Sequence, residues 1–527
     1  MKLRDFYMHL MLDNKYYESL ERYHLLEAGD NLTSYVRGFF DNNNWEIVKK
    51  GIWCYYTPIN FDFKKQGWKI HISAILETIY DIIDIVVPIL YENNIQFKHA
   101  IDEKMLRLIN SKMWNRGATG KIITIYPKSD ENFKYLIQIL SKKLKKFKGP
   151  YILSDFRYKN SDIVFFRYGG FKNIQRLNVY GIKESLIRDG ENNYILDERN
   201  PYPKIPKGIS LPFENEKFYT WKNNNGNNKE ILNNRYLVLK ALSFSNSGGV
   251  YKAFDKRSKN EVVLKEARPF IDFSNGKDAI DRLKKEYIIL KTLEKENITP
   301  KIYEIFQEWE HFFLVEEYID GIELTYYPSI DNIILRSMYK SINKNKLIKE
   351  KNVFLKRLFG LFASFLNIIS ILHSYNIVFG DISPNNFIIV NNLEHYEEVK
   401  IIDFEGAFFK ENQEGIPYST PGFVSPQRMD KSIKSNFKDD YYSLGALLLN
   451  QIFPINPGLR LNVKLKNRFL NKYINKKYLP YILKVIINGL MEKKREDRLN
   501  KDQIIKMIKK SKELNIQIKK YFFERLM

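Results

Sequence analysis

The feature that most constrains this chain is an interruption. Between Pro201 and Ile231 the apolar periodicity lapses into PYPKIPKGISLPFENEKFYTWKNNNGNNKE, in which Pro201, Pro203, Pro206 and Pro212 precede an Asn/Gly run. Proline removes a backbone donor and fixes φ, and Asn and Gly favour turns, so a single core is not carried through such a stretch. The sequence therefore divides into an N-terminal domain over 1–205, a linker over 206–230, a C-terminal domain over 231–515 and a tail over 516–527. No internal repeat is evident in either domain. With 527 residues, 44% of them hydrophobic and 28% charged, both parts have the material for a core, which excludes a mainly disordered chain.

Charge narrows the partners. The 85 Lys+Arg against 62 Asp+Glu give +23, which favours polyanions, acidic peptides or phosphorylated groups, although a chain rich throughout in Lys, Asn and Ile acquires such a charge without any site. The one cysteine, Cys54, excludes an internal disulfide framework and a cysteine-based zinc site, and fits a reducing compartment. The N-terminus is broken by Arg4, Asp5, His9, Asp13 and Glu18, unlike a secretory signal. The apolar stretch Ile82–Leu90 is interrupted by Asp84 and Pro88, far short of the ~20 residues a membrane span needs. The expectation is a cytoplasmic protein with neither membrane nor nucleic acid as partner, its oligomeric state (a homo-oligomer included) left open.

In the C-terminal half, RYLVLKALSF, VYKAFD and VVLKEARPF read as three strands, the first two joined by a turn holding Gly248 and Gly249. Adjacent glycines let backbone approach anionic oxygens, though any hairpin could hold them. Lys265 lies on the third strand and Glu286 in DRLKKEYIILKTLEKE, which has helical spacing; their pairing would hold the lysine against phosphate oxygens. FFLVEEYIDG reads as a strand entering a turn, suited to a nucleotide-base hinge around Glu317 and Tyr318. In IVFGDISPNNFIIV, Asp381 is followed five positions later by Asn386, and VKIIDFEGAF carries Asp403. Phosphoryl transfer needs a carboxylate to take or orient the hydroxyl proton, and an amide with a second carboxylate to hold magnesium on the phosphates; these three residues supply those roles.

This order resembles the eukaryotic-type protein kinase fold over about 231 to 515, which implies a bilobal domain using Mg2+ with ATP or GTP. STPGFVSPQ resembles the end of the activation segment, Asp440 in DDYYSLGALLL the anchor of the catalytic loop, and Arg498 the late structural arginine. The departures are Phe379-Gly380 where the family has His-Arg, Asp403-Phe404-Glu405 where it has Asp-Phe-Gly, and a glycine loop short of one glycine. Without the arginine beside Asp381, the expectation is a kinase not switched on by activation-loop phosphorylation. The lysine-rich KSINKNKLIKEKN, 340–352, reads as a solvated loop or as a docking surface for an acidic part of a peptide.

The N-terminal half carries Lys69 and His71 in WKIHISA, two apart and so on one face of a strand. Lys98 in IQFKHA, Arg116 in MWNRGATG, Tyr126 in KIITIYP, Arg157 in SDFRY and Arg167 in IVFFRYGG follow. This cationic inventory suits β-elimination of phosphate: a neutral lysine takes the Cα proton, a histidinium protonates the departing phosphate, and arginine and lysine hold its charge. The pattern resembles the phosphothreonine lyase family, with its Lys-x-His, later base lysine, and Arg and Tyr ten apart. By that resemblance Lys98 is the base and His71 the acid, while Lys69, Arg116, Tyr126 and a later arginine, Arg167 in preference to Arg157, bind phosphate.

The fusion of the two resembles the class III lanthipeptide synthetases, over about 1 to 515. It implies an α+β architecture in which a lyase-like domain joins a bilobal kinase-like fold, and a precursor peptide whose Ser/Thr are phosphorylated, then converted to dehydroalanine or dehydrobutyrine. The family's cyclase-like domain has no room before IKKYFFERLM, so a separate or missing cyclase is expected. The alternative is a signalling Ser/Thr kinase with an N-terminal binding domain. A pseudokinase is disfavoured because the metal and base positions are filled, and a nucleic-acid binder would explain the charge alone.

Overall fold

The computed structural model describes residues 23–24, 31–40, 44–59, 64–172, 174–181, 183–213, 231–274, 276–329, 332–339, 344–390, 398–412, 420–429, 433–454 and 462–526. They fall into two compact units, 1–260 with 264–281 and 306–313 in the first, and 261–263 with 282–305 and 314–527 in the second.

The first unit is built on an antiparallel sheet of β1 (Trp45–Lys50), β2 (Trp53–Pro58), β3 (Gln66–Ile72), β4 (Gln96–Ala100), β5 (Ile123–Tyr126), β6 (Phe156–Arg157) and β7 (Val164–Gly170), in the order β1-β2-β4-β5-β3-β7-β6. Period-2 alternation turns Trp68, Ile70 and Ile72 of β3 into the core, where Trp68 meets Phe133 at 6.2 Å and Phe166 at 5.7 Å. Phe133 belongs to the helix Asp130–Lys143, whose start is fixed by Ser129 accepting from the Asn132 amide. Acids in its first turn and lysines in its last suit the helix dipole. The apolar run Ile82–Leu90 is the buried stripe of the helix Ile79–Glu92.

The Pro-rich stretch begins as a strap on this core. Ile205, Ile209, Leu211 and Phe213 pack against it, Phe213 lying 5.3 Å from Tyr158 and 5.8 Å from Phe133. Residues 214–230 lie outside the described residues. A second, six-stranded sheet follows the order Ile231–Leu232, Tyr236–Phe244, Gly249–Asp255, Glu261–Ala267, His311–Glu317, Ile302–Glu308.

The second unit is mainly helical. Its longest helix, Lys344–Ser374, packs along Ile516–Leu526, so residues read as a tail form a docked helix: Phe522 is buried and Arg525 Nε donates to Ser364 Oγ at 3.1 Å. Gly360 makes the approach close, since a Cβ there would lie 2.3 Å from the Tyr521 ring. Among the described residues, Ile348–Ser374 is long and apolar enough to cross a membrane by length and composition, and 67% of that window is buried, as in a core helix. Of the lysine-rich 340–352, residues 340–343 lie outside the described residues and the remainder opens this helix rather than a loop.

Candidate active sites

Antiparallel register gathers one set of side chains on the sheet face opposite the helices. Lys69 of β3 stands opposite Arg167 of β7, His71 opposite Thr124 of β5 and Phe165 of β7, and Lys98 of β4 opposite Thr124 and Tyr55. Tyr126 is opposite Gln96 and its ring lies 6.0 Å from the Lys69 ammonium. Lys69, His71, Lys98, Tyr126 and Arg167 thus share one face, as does Arg157 of β6, opposite Phe165.

Four further residues complete this cluster, and the sequence reading missed them. Asp155, fully buried just before β6, pairs with Lys121 Nζ at 2.9 Å, accepts from Ser154 Oγ at 2.8 Å and forms a short hydrogen bond with His71 Nδ1. Asp197 pairs with Arg167, and Arg199, at the exposed rim, adds charge that reaches Lys69, Lys98 and Lys121. A charged Lys121 opening the apolar run IITIY, and an Asp between Leu153 and Phe156, were the available signals.

Crowded cations in a desolvated setting lose protons. Burial, opposed by Asp197 and helped by Arg167 and Arg199, pushes Lys69 down to about 7; burial, opposed by Asp155, leaves Lys121 at about 8. Lys98 falls well below the usual lysine range through desolvation, then Arg199, Lys69 and Lys121. Its residue is partly exposed and its ammonium lies 4.1 Å over the Trp53 ring, with no carboxylate partner among the described residues. Burial pushes His71 down to about 3 against the pull of Asp155. Burial opposes ionisation of Asp155, yet Lys121 and His71 hold its carboxyl well below the ordinary range.

Two predicted phosphate ligands are already held by carboxylates. Arg116 Nη2 pairs with Glu266 at 3.0 Å, its guanidinium 5.0 Å over Phe244, while Glu266 also accepts from Tyr251 at 2.7 Å and pairs with His311. Arg157 forms a bidentate pair with Glu310 and stacks 4.8 Å over Tyr151. Of the three arginines, only Arg167 touches the cluster through its paired carboxylate.

The glycine turn is held by the same loop that carries Arg116. Asn246 donates from its amide to Lys112 O at 3.1 Å and from Nδ2 to Ser111 O at 2.8 Å, and buried Arg268 donates to Asn246 O. A Cβ on Gly248 would lie 1.8 Å from Glu266 O, so only glycine fits. Lys265 is half-buried on the strand Glu261–Ala267, in the first unit.

The second unit holds the carboxylates. Asp381 accepts from the Thr420 amide at 2.8 Å, Thr420 Oγ1 at 3.2 Å and Asn386 Nδ2 at 3.3 Å, and burial raises its pKa, with Asp403 adding to the rise. Asn386 Nδ2 also donates to Asp381 O at 2.8 Å, which leaves the amide Oδ1 as the acceptor a metal would use. Asp403, at φ +62°, opens the loop whose Phe404 amide donates to buried Glu286 at 3.1 Å. An oxygen set of one amide and one carboxylate beside a phosphate chain fits Mg2+. Asp440 accepts from the Phe379 and Gly380 amides at 3.0 and 2.9 Å and from His373 Nε2 at 3.0 Å, bracing the catalytic loop. Arg498 donates to Asp439 at 3.1 Å. Glu317 ends its strand and Tyr318 begins the irregular segment after it, where the hinge was expected.

Residues 236–509 match the protein kinase domain model and 38–224 the model described as RamC, N-terminal domain. The kinase match spans more than half of the chain, which therefore belongs to the protein kinase domain family. Together the two models reproduce the domain order of the lanthipeptide-synthetase resemblance. The chain is similar to the probable SapB synthase of Streptomyces coelicolor, 29% identical over 419 residues, 79% of this chain and 43% of that protein. It is similar to serine/threonine-protein kinase D of Synechocystis sp., 28% over 238 residues, 42% of this chain and 41% of that one. Calcium-dependent protein kinase 4 of Plasmodium falciparum is 25% identical over 261 residues, 48% of this chain and 44% of it. The chain thus spans less than half the length of these relatives. A protein kinase domain implies ATP with Mg2+.

Proposed function

We propose that this chain dehydrates Ser and Thr of a precursor peptide in two steps, as a lanthipeptide synthetase of class III would. The observation that carries the reading is the single cationic face holding Lys98, His71–Asp155, Lys69 and Arg167, alongside a kinase domain whose base and metal positions are filled.

In the first step the Ser or Thr hydroxyl gives its proton toward Asp381 as its oxygen takes the γ-phosphoryl group of ATP, the bond from the γ-phosphorus to the β-phosphate oxygen breaking as ADP leaves. Asn386 and Asp403 would hold Mg2+, which supplies charge neutralisation on the phosphates. In the second, the neutral Lys98 amine takes the Cα proton, the Cα–H pair becomes the Cα=Cβ bond, and the Cβ–O bond breaks. His71 hands a proton to the leaving phosphate, and Lys69, Arg167 and Tyr126 hold its oxygens. The dianion's charge beside His71 opposes the burial that keeps the imidazole neutral, so substrate itself arms the acid. Dehydroalanine or dehydrobutyrine and inorganic phosphate leave, with the elements of one water lost from the peptide.

Mass spectrometry of a Ser/Thr-rich precursor peptide incubated with Mg-ATP tests this. The intact protein should remove one water per modified residue, and Lys98→Ala should leave phosphorylated peptide. Phosphate addition alone by the intact protein would favour the second reading, a peptide kinase with an N-terminal binding domain. That reading draws on one observation: Arg116 and Arg157 are already neutralised by Glu266 and Glu310.

A further inference from the structure

The residue before Asp381 is Gly380, at φ +81°, a backbone conformation that side chains rarely adopt. A Cβ there would lie 2.1 Å from Nη1 and 2.5 Å from Nη2 of Arg428. The Arg428 guanidinium therefore fills the volume that a residue-380 side chain would occupy. It comes from the single turn Pro426–Met429, directly after the segment STPGFVS, and its amide is fixed by Ser425, whose Oγ donates to Asp439 at 2.7 Å.

Both Nη atoms of Arg428 are buried, with no hydrogen-bond partner among the described residues. A buried guanidinium without hydrogen bonds is costly and persists where carboxylates around it need its charge. Asp381, Asp439 and Asp440 are those carboxylates. Asp439 is already met by Arg495 at 2.8 Å and Arg498 at 3.1 Å, and Asp440 by two loop amides and His373. Asp381 has hydrogen bonds from Thr420 and Asn386 and no ion pair of its own among the described residues.

We infer that Arg428 is the positioning residue of the catalytic loop, delivering from the end of the activation segment the cation that the chain lacks at position 380. The inference rests on the kinase reading. The exchange is reciprocal: glycine at 380 makes the space, and arginine at 428 fills it. Because the segment carries its own cation into place, no phosphate on that segment is needed to recruit one.

The test uses the full chain, Mg-ATP labelled at the γ position and a synthetic Ser-rich peptide, counting label on peptide and as free phosphate together. Arg428→Met should lower kcat about 10²-fold, the scale of a misplaced reacting group. The KM for ATP should stay within about twofold, and Arg428→Lys should recover about tenfold of kcat. Gly380→Ala, which evicts the guanidinium while keeping residue 428, should match the Met variant, and the double variant should fall no further. The inference is overturned if Lys is as poor as Met, if kcat and KM fall together, or if the Gly380 and Arg428 losses multiply. Should Arg428→Met lose its cooperative melt, Gly380→Ala decides on the same kcat and KM criteria. A wild-type chain that binds Mg-ATP and transfers nothing would instead sink the kinase reading beneath the inference.

Discussion

Replacing Asp155 by Asn probes the buried charge of the N-terminal face. The substitution keeps shape and removes a carboxylate that is 0% exposed and holds Lys121 and His71. At pH 7 Lys121, with its pKa at about 8, is mostly charged, so the variant strands a buried ammonium. Removing one partner of a buried pair costs about 3–5 kcal/mol, and a unit of this size loses about 2–4 °C per kcal/mol, so melting should fall by about 6–20 °C. Without Asp155 the folded Lys121 pKa drops further, while the unfolded value stays near ~10.4. Between the two the unfolded chain binds more protons, so the variant gains stability as pH rises. Above about 8 the wild-type lysine has shed its proton too, and the gap closes. Tryptophan fluorescence reads this unit, because Trp45, Trp53, Trp68, Trp114 and Trp309 belong to it and the residue ranges of the second unit hold no tryptophan. The deficit should shrink by up to about 1.4 kcal/mol, or about 3–5 °C of melting, between pH 7 and pH 9; an equal or larger deficit at pH 9 refutes the electrostatic account and leaves a packing defect.

Arg116→Ala should destabilise the same unit by about 3–5 kcal/mol in the same fluorescence melt, because Glu266 stays buried. It should also leave elimination from a synthetic phosphoserine peptide within about twofold of wild type; a large loss of elimination would return Arg116 to the phosphate site. Gly248→Ala places a Cβ 1.8 Å from Glu266 O and should weaken ATP binding, measured by calorimetry, by about tenfold or more, with elimination unchanged. Chelation of Mg2+ with EDTA should stop label transfer to peptide while pre-phosphorylated peptide is still converted, since on the proposed reading the residues of the cationic face supply the acid and the base themselves.

The alternation in WKIHI was enough to set Lys69 and His71 on one face, because a half-buried strand has to alternate. The register that sets Arg167 opposite Lys69 and Lys98 opposite Thr124 is a long-range choice, made by core packing of Trp68, Phe97 and Phe166, and short motifs carry no trace of it. Arg116 shows the cost of reading by spacing alone: ten residues before Tyr126 it has the family interval, but its loop turns it to Glu266, 150 positions on. Asp155 and Asp197 were invisible for a related reason, since turns bring them in rather than strands. In the C-terminal half the candidate residues were legible because each chemical role needs one residue type in a fixed order. The docked helix Ile516–Leu526 was not, since its short apolar stripe has meaning only against Lys344–Ser374.

On the proposed lyase reading, the distribution of carboxylates, rather than that of lysines, separates acid from base on the N-terminal face. Three lysines there are driven toward neutrality by burial, and any of them could serve as a base on that ground alone. Lys121 is held by Asp155, and Lys69 feels Asp197, so an incoming phosphate dianion adds a second anion beside each and draws both toward the charged form. His71 shares Asp155 and moves the same way. Lys98 has no such anion among the described residues; its neighbours are the Trp53 and Tyr55 rings and three cations. The ring face of Trp53 favours an ammonium, but about 0.5–2 kcal/mol of cation–π attraction is of the order of a single pKa unit, against desolvation and three like charges. On the proposed reading, binding the phosphate therefore sorts the groups: the dianion recharges those that hold it, and Lys98, without a nearby carboxylate among the described residues, stays the amine that would take the Cα proton.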